Sequence, residues 1–480
     1  MAENARNMKT VIHTIISLAL MFGLGFLPPV LDLTPAGMKM LGILVGAIWG
    51  ITFVEAIFPC IAAMLAMIVL GVAPIGTVIS TGVGSDTCIS MIFLFTFVAI
   101  LEKYKITEFL ATFLLSRKVL QGKPWIFSYV LIIGTMFCGA FGSSFPAMIV
   151  FWIAACKLYD MKPYTAYPTV MFMGICIGGL ASSSTWLFRG NPLFVNSMIK
   201  NISGGELYFN FGIYALFSFV MWMIVIAGYV LMCKYIFKVD VSNLANIDDS
   251  VLDKSLLKLD KAQKIVIAYT LVMLVTYVVI GFAPAGTPIG TYLGNFGVTG
   301  PVLIVLLLAS LTRVDGKPLY NFIECARRGI AWETFLLCGA LLSLSTIMMT
   351  TDTGIASSII ALLNPVFAGK GVTFMCVIIA VLSVILTNFM ANTTVGLMFA
   401  PVIYSFSLSI GFEALPMLAV MLICIHIAYL TPAASPFASL MFGFSDWIKP
   451  SDIYKKGTLS CIFMVVVFLV IGIPISNILF

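Results

Sequence analysis

The sequence predicts an all-α polytopic membrane protein, and three observations carry this prediction. Hydrophobic residues make up 61% of the 480 residues, only 10% are charged, and the mean hydropathy is +1.11. A soluble domain with so few charges would leave most of its apolar surface in water. Apolar runs of the ~20 residues that a helix needs to cross a bilayer recur along the whole chain. The sequence lacks the ~10-residue alternating segments of a transmembrane barrel.

Charge and cysteine content exclude other classes of protein. The net charge of +6 is spread over many short loops and forms no basic arm, which argues against nucleic acid binding. The eleven cysteines lie mostly within apolar runs, without CxxC or paired-histidine spacing. We interpret them as small hydrophobic residues and expect no disulfide, no metal centre and no organic cofactor.

Hydropathy indicates eleven spanning segments and two longer apolar stretches. The stretches, 125–157 and 371–408, are too long for one crossing, and each is interrupted by small or polar residues. Such a segment can form a re-entrant hairpin when its tip is buried in protein or faces water; one long, tilted helix is the alternative for each. The spanning segments lie near 10–27, 36–54, 57–74, 88–102, 165–188, 211–234, 263–282, 298–312, 331–349, 415–444 and 458–479.

Landmarks along the chain indicate an internal duplication. Asp86, at the start of an apolar run, corresponds to Glu333, and Ser144 in the first hairpin corresponds to Asn392 in the second. Five crossings in each half would make the two halves inverted repeats, which is an architecture of secondary transporters. The predicted units are an N-terminal helix at 1–35, a first repeat at 36–238, a linker at 239–261 and a second repeat at 262–480.

The linker predicts the orientation of the chain in the membrane. The segment 238–264, which contains the linker, is the only long polar stretch of the sequence, and it holds five lysines. Lys and Arg favour cytoplasmic loops. We therefore expect the linker on the cytoplasmic side of a cell (inner) membrane.

Two helix breaks, within 178–192 and 426–436, are predicted to meet the two hairpin tips at mid-membrane. Both combine Pro with several hydroxyl residues, and proline frees a carbonyl one turn back in a helix. New helix N-termini favour an anion, and freed carbonyls favour Na+. A kinked packing helix is the alternative at each break. The candidate substrate-binding residues are Arg189 and Asn191 at the first break and Ser435 and Pro436 at the second.

The second hairpin resembles that of a known family. Met390–Pro401 (MANTTVGLMFAP) is similar to the Ser-Asn-Thr hairpin motif of the divalent-anion/sodium symporter family, within the ion-transporter superfamily. Further agreement comes from VEAIFP at 54–59, WETFLL at 332–337 and the AASP break at 433–436, so the resemblance runs the length of the chain. It implies that Asn392 and Thr393 contact a substrate carboxylate, and that Thr387, Ala391, Asn392 and Ala433 surround a Na+ ion.

The first half departs from this motif. Its hairpin tip reads Ser143-Ser144-Phe145, and its break reads RGNP where the family has a small Gly- and Pro-rich segment. Ser143 and Ser144 remain candidate substrate contacts, but the missing ligands weaken the expectation of a second Na+ site. A charge at membrane depth costs ~2.5–3.5 kcal/mol. Our hypothesis is that Arg189 replaces that Na+ and pairs with a substrate carboxylate, the alternative being an anchor at the headgroups.

The sequence thus predicts a secondary transporter of di- or tricarboxylates of the succinate, malate or citrate type, with no catalytic residues. Na+-coupled uptake by alternating access is the first hypothesis. Na+-independent carboxylate exchange and transport of a sulfate-like anion are alternatives, and His426 alone hints at a proton-dependent oxyanion exporter. A membrane enzyme lacks support, because the apolar segments contain no HExxH motif, paired Asp or Ser/His spacing. Homodimerisation is expected from the resemblance.

Overall fold

The computed structural model shows a mostly helical chain. All eleven cysteines are buried. The residues described are 2–55, 57–115, 122–139, 148–149, 152–153, 155–156, 161–186, 190–241, 257–281, 288, 292–293, 295–296, 299–330, 332–350, 353–355, 357–358, 361, 370–432, 434–444 and 446–480.

Several helices in the first half begin at capping side chains. The Thr34 hydroxyl accepts from the Gly37 amide at 3.1 Å, and the Ser85 hydroxyl accepts from the Cys88 amide at 3.4 Å. These bonds satisfy amides that a helix start leaves open. The helices are α1 (Ala2–Gly23), α2 (Pro35–Phe53), α3 (Ile57–Val69), α4 (Ile75–Thr81), α5 (Asp86–Lys103), α6 (Ile106–Leu115), α7 (Pro124–Cys138), α8 (Ala166–Thr185), α9 (Gly190–Ile202) and α10 (Phe211–Tyr235).

One small β-hairpin lies among the described helices of the second half. Asp315 and Gly316 have positive φ angles of 50° and 77°, as a two-residue turn requires, and they join β1 (Arg313–Val314) to β2 (Lys317–Pro318). The helices are α11 (Lys261–Gly281), α12 (Gly300–Leu311), α13 (Phe322–Gly329), α14 (Trp332–Thr350), α15 (Val372–Thr387), α16 (Asn392–Ile410), α17 (Ala414–Cys424), α18 (Pro436–Gly443), α19 (Pro450–Val467) and α20 (Ile473–Leu479).

The lengths of the helices confirm the all-α polytopic membrane fold. Within the described residues, six segments are long and apolar enough to cross a bilayer: Met8–Phe26, Pro35–Phe53, Ala166–Ile202, Phe211–Tyr235, Asn392–Ile410 and Pro450–Leu479. Five shorter apolar helices accompany them, and α13 is bent by 73° against α14. The number of eleven crossings, the inversion of the repeats and the domain boundaries stay predictions.

The second predicted hairpin is interrupted at the predicted place. Helix α15 ends at Thr387, a four-residue turn follows, and α16 begins at Asn392. Both helices pack against α17. In the first predicted hairpin, α7 ends at Cys138, and the tip at 140–147 lies outside the described residues. Helix α9 was not predicted as a separate element, although it follows the predicted first break.

Close packing joins elements from the two halves of the chain. Helix α9 packs against α14 and α16, and α18 packs against α8. A Cβ atom at Gly396 would lie 3.0 Å from Ile425 Cδ1 and 3.1 Å from Val195 Cγ2. At Gly179 it would lie 3.0 Å from the Phe437 ring. Small residues therefore let helices of different halves approach closely, as in other membrane bundles.

Candidate functional site

Asn388 organises the break that follows α17. Its Nδ2 donates to the Ile427 carbonyl and to the Val384 carbonyl, both at 2.8 Å, and its Oδ1 accepts from the Leu430 amide at 2.8 Å. Only 4% of Asn388 is exposed. One side chain thus replaces backbone bonds that are lost where the helix opens, because unpaired polar groups at membrane depth are costly.

We expect Asn388→Ala to destabilise the folded protein by about 3 kcal/mol, since it leaves the Ile427 carbonyl and the Leu430 amide without their partner. The measurement is the thermal denaturation midpoint of the purified protein in detergent. Asn201→Ala is the control, because Asn201 is exposed at the end of α9. An unchanged midpoint for Asn388→Ala would show that the break does not depend on this side chain.

Ser435 and Pro436 begin α18 at the far side of the same break. The Ser435 hydroxyl donates to the Ala428 carbonyl at 2.8 Å and accepts from the Ala438 amide at 3.1 Å. Pro436 occupies the first turn of α18 and is exposed. Both hydrogen-bonding functions of the Ser435 hydroxyl are therefore engaged within the break, where they hold the helix start in place.

Three oxygen atoms cluster where the second hairpin meets this break. The Thr387 hydroxyl oxygen lies 2.7 Å from the Ile425 carbonyl oxygen and 2.9 Å from Asn392 Oδ1. Thr387 is fully buried, and its single proton cannot satisfy both acceptors. Hard, uncharged oxygens in this arrangement suit a small cation.

Ala391 and Ala433 were the other two predicted Na+ ligands. The Ala391 carbonyl accepts from the Val395 amide at 3.2 Å, which is the first backbone bond of α16. Ala433 lies outside the described residues. The structure thus brings Thr387 and Asn392 together with the Ile425 carbonyl, which sequence reasoning did not single out.

A second network crosses from the first half of the chain to the second. Asn191 Nδ2 lies 3.0 Å from His426 Nε2, and His426 Nδ1 lies 2.7 Å from the Leu422 carbonyl. The Thr393 hydroxyl donates to Asn191 Oδ1. His426 is completely buried, and 8% of Asn191 is exposed. Because His426 follows Ile425 and Thr393 follows Asn392 in the chain, the two networks form one site.

The site presents hydrogen-bond donors that have no protein partner within the described part of the chain. The Asn392 Nδ2 group makes no hydrogen bond there, and one of the two Asn191 Nδ2 hydrogens is also left over. Helix α16 has no side-chain cap at its N-terminus. The Thr394 hydroxyl in its first turn is buried without a partner. These donors lie at the positive ends of α9 and α16, which favours a bound anion.

Of the four predicted site residues in the first half, the structure describes Asn191. Ser143, Ser144 and Arg189 lie outside the described residues. At the end of α8, the Ser184 carbonyl accepts from the Tyr214 hydroxyl at 2.9 Å and from the Ser218 hydroxyl at 3.3 Å. A carbonyl at the first break is therefore already engaged by side chains of its own half.

Sequence reasoning missed the roles of two buried polar residues. Asn388 lies four positions before Asn392 inside an apolar stretch, so its amide needed a partner and was a detectable signal. From the sequence, His426 was only a hint of proton-dependent export. Its contact with Asn191 had no local signal, because 235 positions separate the two residues.

Comparisons with known proteins identify the class. A family profile described as CitMHS, citrate transporter, matches residues 43–424. The uncharacterized transporter YfbS of Escherichia coli (strain K12) is 24% identical over 153 residues, which are 31% of this chain and 24% of that relative. The match thus spans about a quarter of the length of the relative.

Two solved structures share the fold. The YdaH transporter of Alcanivorax borkumensis has a TM-score of 0.57 at 14% identity and is covered over 98% of both chains. MtrF of Neisseria gonorrhoeae, described as illuminating a class of antimetabolite efflux pumps, has a TM-score of 0.53 at 13% identity, over 96% of this chain and 94% of MtrF.

The profile covers most of the chain, and the two structural neighbours share its fold over nearly the whole length. The chain is therefore a multi-span membrane protein with the family profile of a transporter. The chain belongs to the citrate transporter family.

Proposed function

We propose that the protein is a secondary active transporter that carries a di- or tricarboxylate of the citrate, succinate or malate type together with Na+. The observation that supports this proposal is the pairing of unengaged amide donors with an adjacent oxygen cluster. The donors, on Asn191 and Asn392, lie at two helix N-termini and suit a carboxylate. The cluster of Thr387, Ile425 and Asn392 suits Na+.

The shared residue gives the proposal its mechanism. Asn392 presents its oxygen to the cation cluster, while its Nδ2 remains free to donate to an anion. A bound cation would fix the amide in this orientation and thereby favour the anion, and by linkage the anion would favour the cation to the same extent. Alternating access would then move both ligands together across the membrane.

Finer features of the proposal rest on the sequence. The chain would work in the manner of the divalent-anion/sodium symporters, as a homodimer with the linker 239–261 in the cytoplasm. Thr393, Ser435 and Pro436 would shape the substrate site on the second-half side. Ser143, Ser144 and Arg189 would complete it from the first half, with the Arg189 guanidinium pairing with a carboxylate in place of a second Na+.

Uptake into proteoliposomes tests the proposed function. The purified protein is reconstituted, and uptake of labelled citrate, succinate and sulfate is measured with an inward Na+ gradient, with choline in place of Na+, and with unlabelled anion inside. We expect an inward Na+ gradient to drive accumulation of at least one carboxylate. The controls are protein-free liposomes and proteoliposomes in which a Na+ ionophore has dissipated the Na+ gradient.

Each other outcome selects a different function. Uptake that needs internal anion and ignores Na+ would replace symport by carboxylate exchange. Uptake of sulfate alone would reject the carboxylate, and no uptake under any gradient would reject all three substrates. The oxygen cluster would then be a structural feature of the hairpin only.

A further inference from the structure

The hydrogen-bond chain through His426 has a fixed direction. The Leu422 carbonyl can only accept, so His426 Nδ1, at 2.7 Å, carries a hydrogen. Asn191 Nδ2 can only donate, so His426 Nε2, at 3.0 Å, presents its lone pair. The contacts are therefore satisfied by one form of the ring, the neutral imidazole protonated on Nδ1.

Both contacts of the Asn191 amide agree with this form of the imidazole. With Nδ2 directed at His426, Oδ1 faces Thr393 and accepts its hydroxyl proton. The opposite amide orientation would place Oδ1 against the Nε2 lone pair. The Thr393 proton is then committed to Asn191, and the remaining Asn191 Nδ2 hydrogen is a donor available to a ligand.

We propose that His426 is a positioning residue that orients the Asn191 amide, so that Asn191 ties the N-terminus of α9 to that of α16 and presents one N–H to the anion. This inference deepens the proposed function and rests on it for the identity of the anion. Its structural part, the tautomer of His426 and the orientation of Asn191, does not depend on any substrate. His426 itself is completely buried and acts through Asn191.

The first test uses the fact that the chain has only two histidines, His13 and His426. Protein labelled with 15N-histidine in the His13→Gln background reports on His426 alone. We expect one pyrrole-type signal for Nδ1 and one pyridine-type signal for Nε2 at neutral pH. A protonated Nε2, in either the other tautomer or the imidazolium, would overturn the proposal. In Asn191→Asp the donor becomes a carboxylate, and we expect Nε2 to become protonated.

The second test compares two amide replacements of the histidine. A glutamine amide can reach the place of Nε2 and accept from Asn191, whereas an asparagine amide reaches only the place of Nδ1 and leaves Asn191 without its acceptor. We expect His426→Gln to keep citrate affinity within about threefold of wild type, and His426→Asn to weaken it about tenfold, as loss of one buried hydrogen bond does. Maximal transport rate per folded protein should change less than the half-saturating concentration.

The outcomes separate this inference from the proposed function. Equal losses of affinity in folded His426→Gln and His426→Asn would overturn the positioning role, because the acceptor at Nε2 would then be irrelevant. If the wild type binds neither citrate nor succinate, the proposed carboxylate is wrong, and the 15N spectrum still decides whether His426 orients Asn191.

Discussion

Asn392→Ala is expected to lower carboxylate transport by roughly hundredfold or more, while folded protein is recovered at the wild-type level. A hydrogen bond to a charged ligand is worth about 1.5–3 kcal/mol, and the same change removes one oxygen from the cation cluster. The Asn392 side chain bonds only to Thr387 among the described residues. The bonds of Asn388 and Ser435 that hold the break are therefore unaffected by the change. The measurement is initial uptake in proteoliposomes, normalised to folded protein by size-exclusion chromatography.

Asn392→Asp separates the two functions of this amide. A carboxylate still offers an oxygen to Thr387 and to Na+, but it cannot donate, and it repels an anionic substrate. We expect this variant to lose transport and to keep a Na+-dependent rise in the thermal denaturation midpoint. Asn201→Ala, an exposed amide deletion on α9, is the matched control and should transport normally. Near-normal uptake by Asn392→Ala would remove this residue from the site.

Thr387→Val is expected to weaken Na+ binding about tenfold and to raise by a similar factor the Na+ concentration that half-activates uptake. Valine keeps the shape of the side chain and deletes the oxygen that lies 2.7 Å from the Ile425 carbonyl and 2.9 Å from Asn392 Oδ1. Thr387→Ser retains the hydroxyl and should stay close to wild type. The measurement is the midpoint of thermal denaturation as NaCl replaces choline chloride, since a ligand of the native state stabilises it.

Thr270→Val is the control for this substitution. Thr270 is also buried, and its hydroxyl donates only to the Val266 carbonyl one turn earlier in α11. It should leave the Na+ response unchanged. If Thr387→Val responds to Na+ as the wild type does, the oxygen cluster is not the coupling site, and the exchange mechanism becomes the better account of transport.

Local pattern was sufficient to predict the membrane class and the interruption of the second long apolar stretch. Long apolar runs admit only structures that satisfy their backbone internally, so composition alone predicted helices in lipid. The segment 371–408 was too long and too polar at its centre for a single helix, and α15 does end at Thr387. The resemblance in Met390–Pro401 drew attention to Asn392 and Thr393, which the structure places at the start of α16.

Contacts between distant parts of the chain were decided only by the tertiary structure. Thr393 and Asn191 are 202 positions apart, and Asn191 and His426 are 235 apart. No local periodicity predicts such pairs, because they form only when α9 packs against α16 beside the break at 425–435. Composition and hydropathy thus determined that this is a membrane protein, and they located the interruptions of its apolar segments. The packing of α9, allowed by Gly396, decided which interrupted ends meet and which amide hydrogens remain free there.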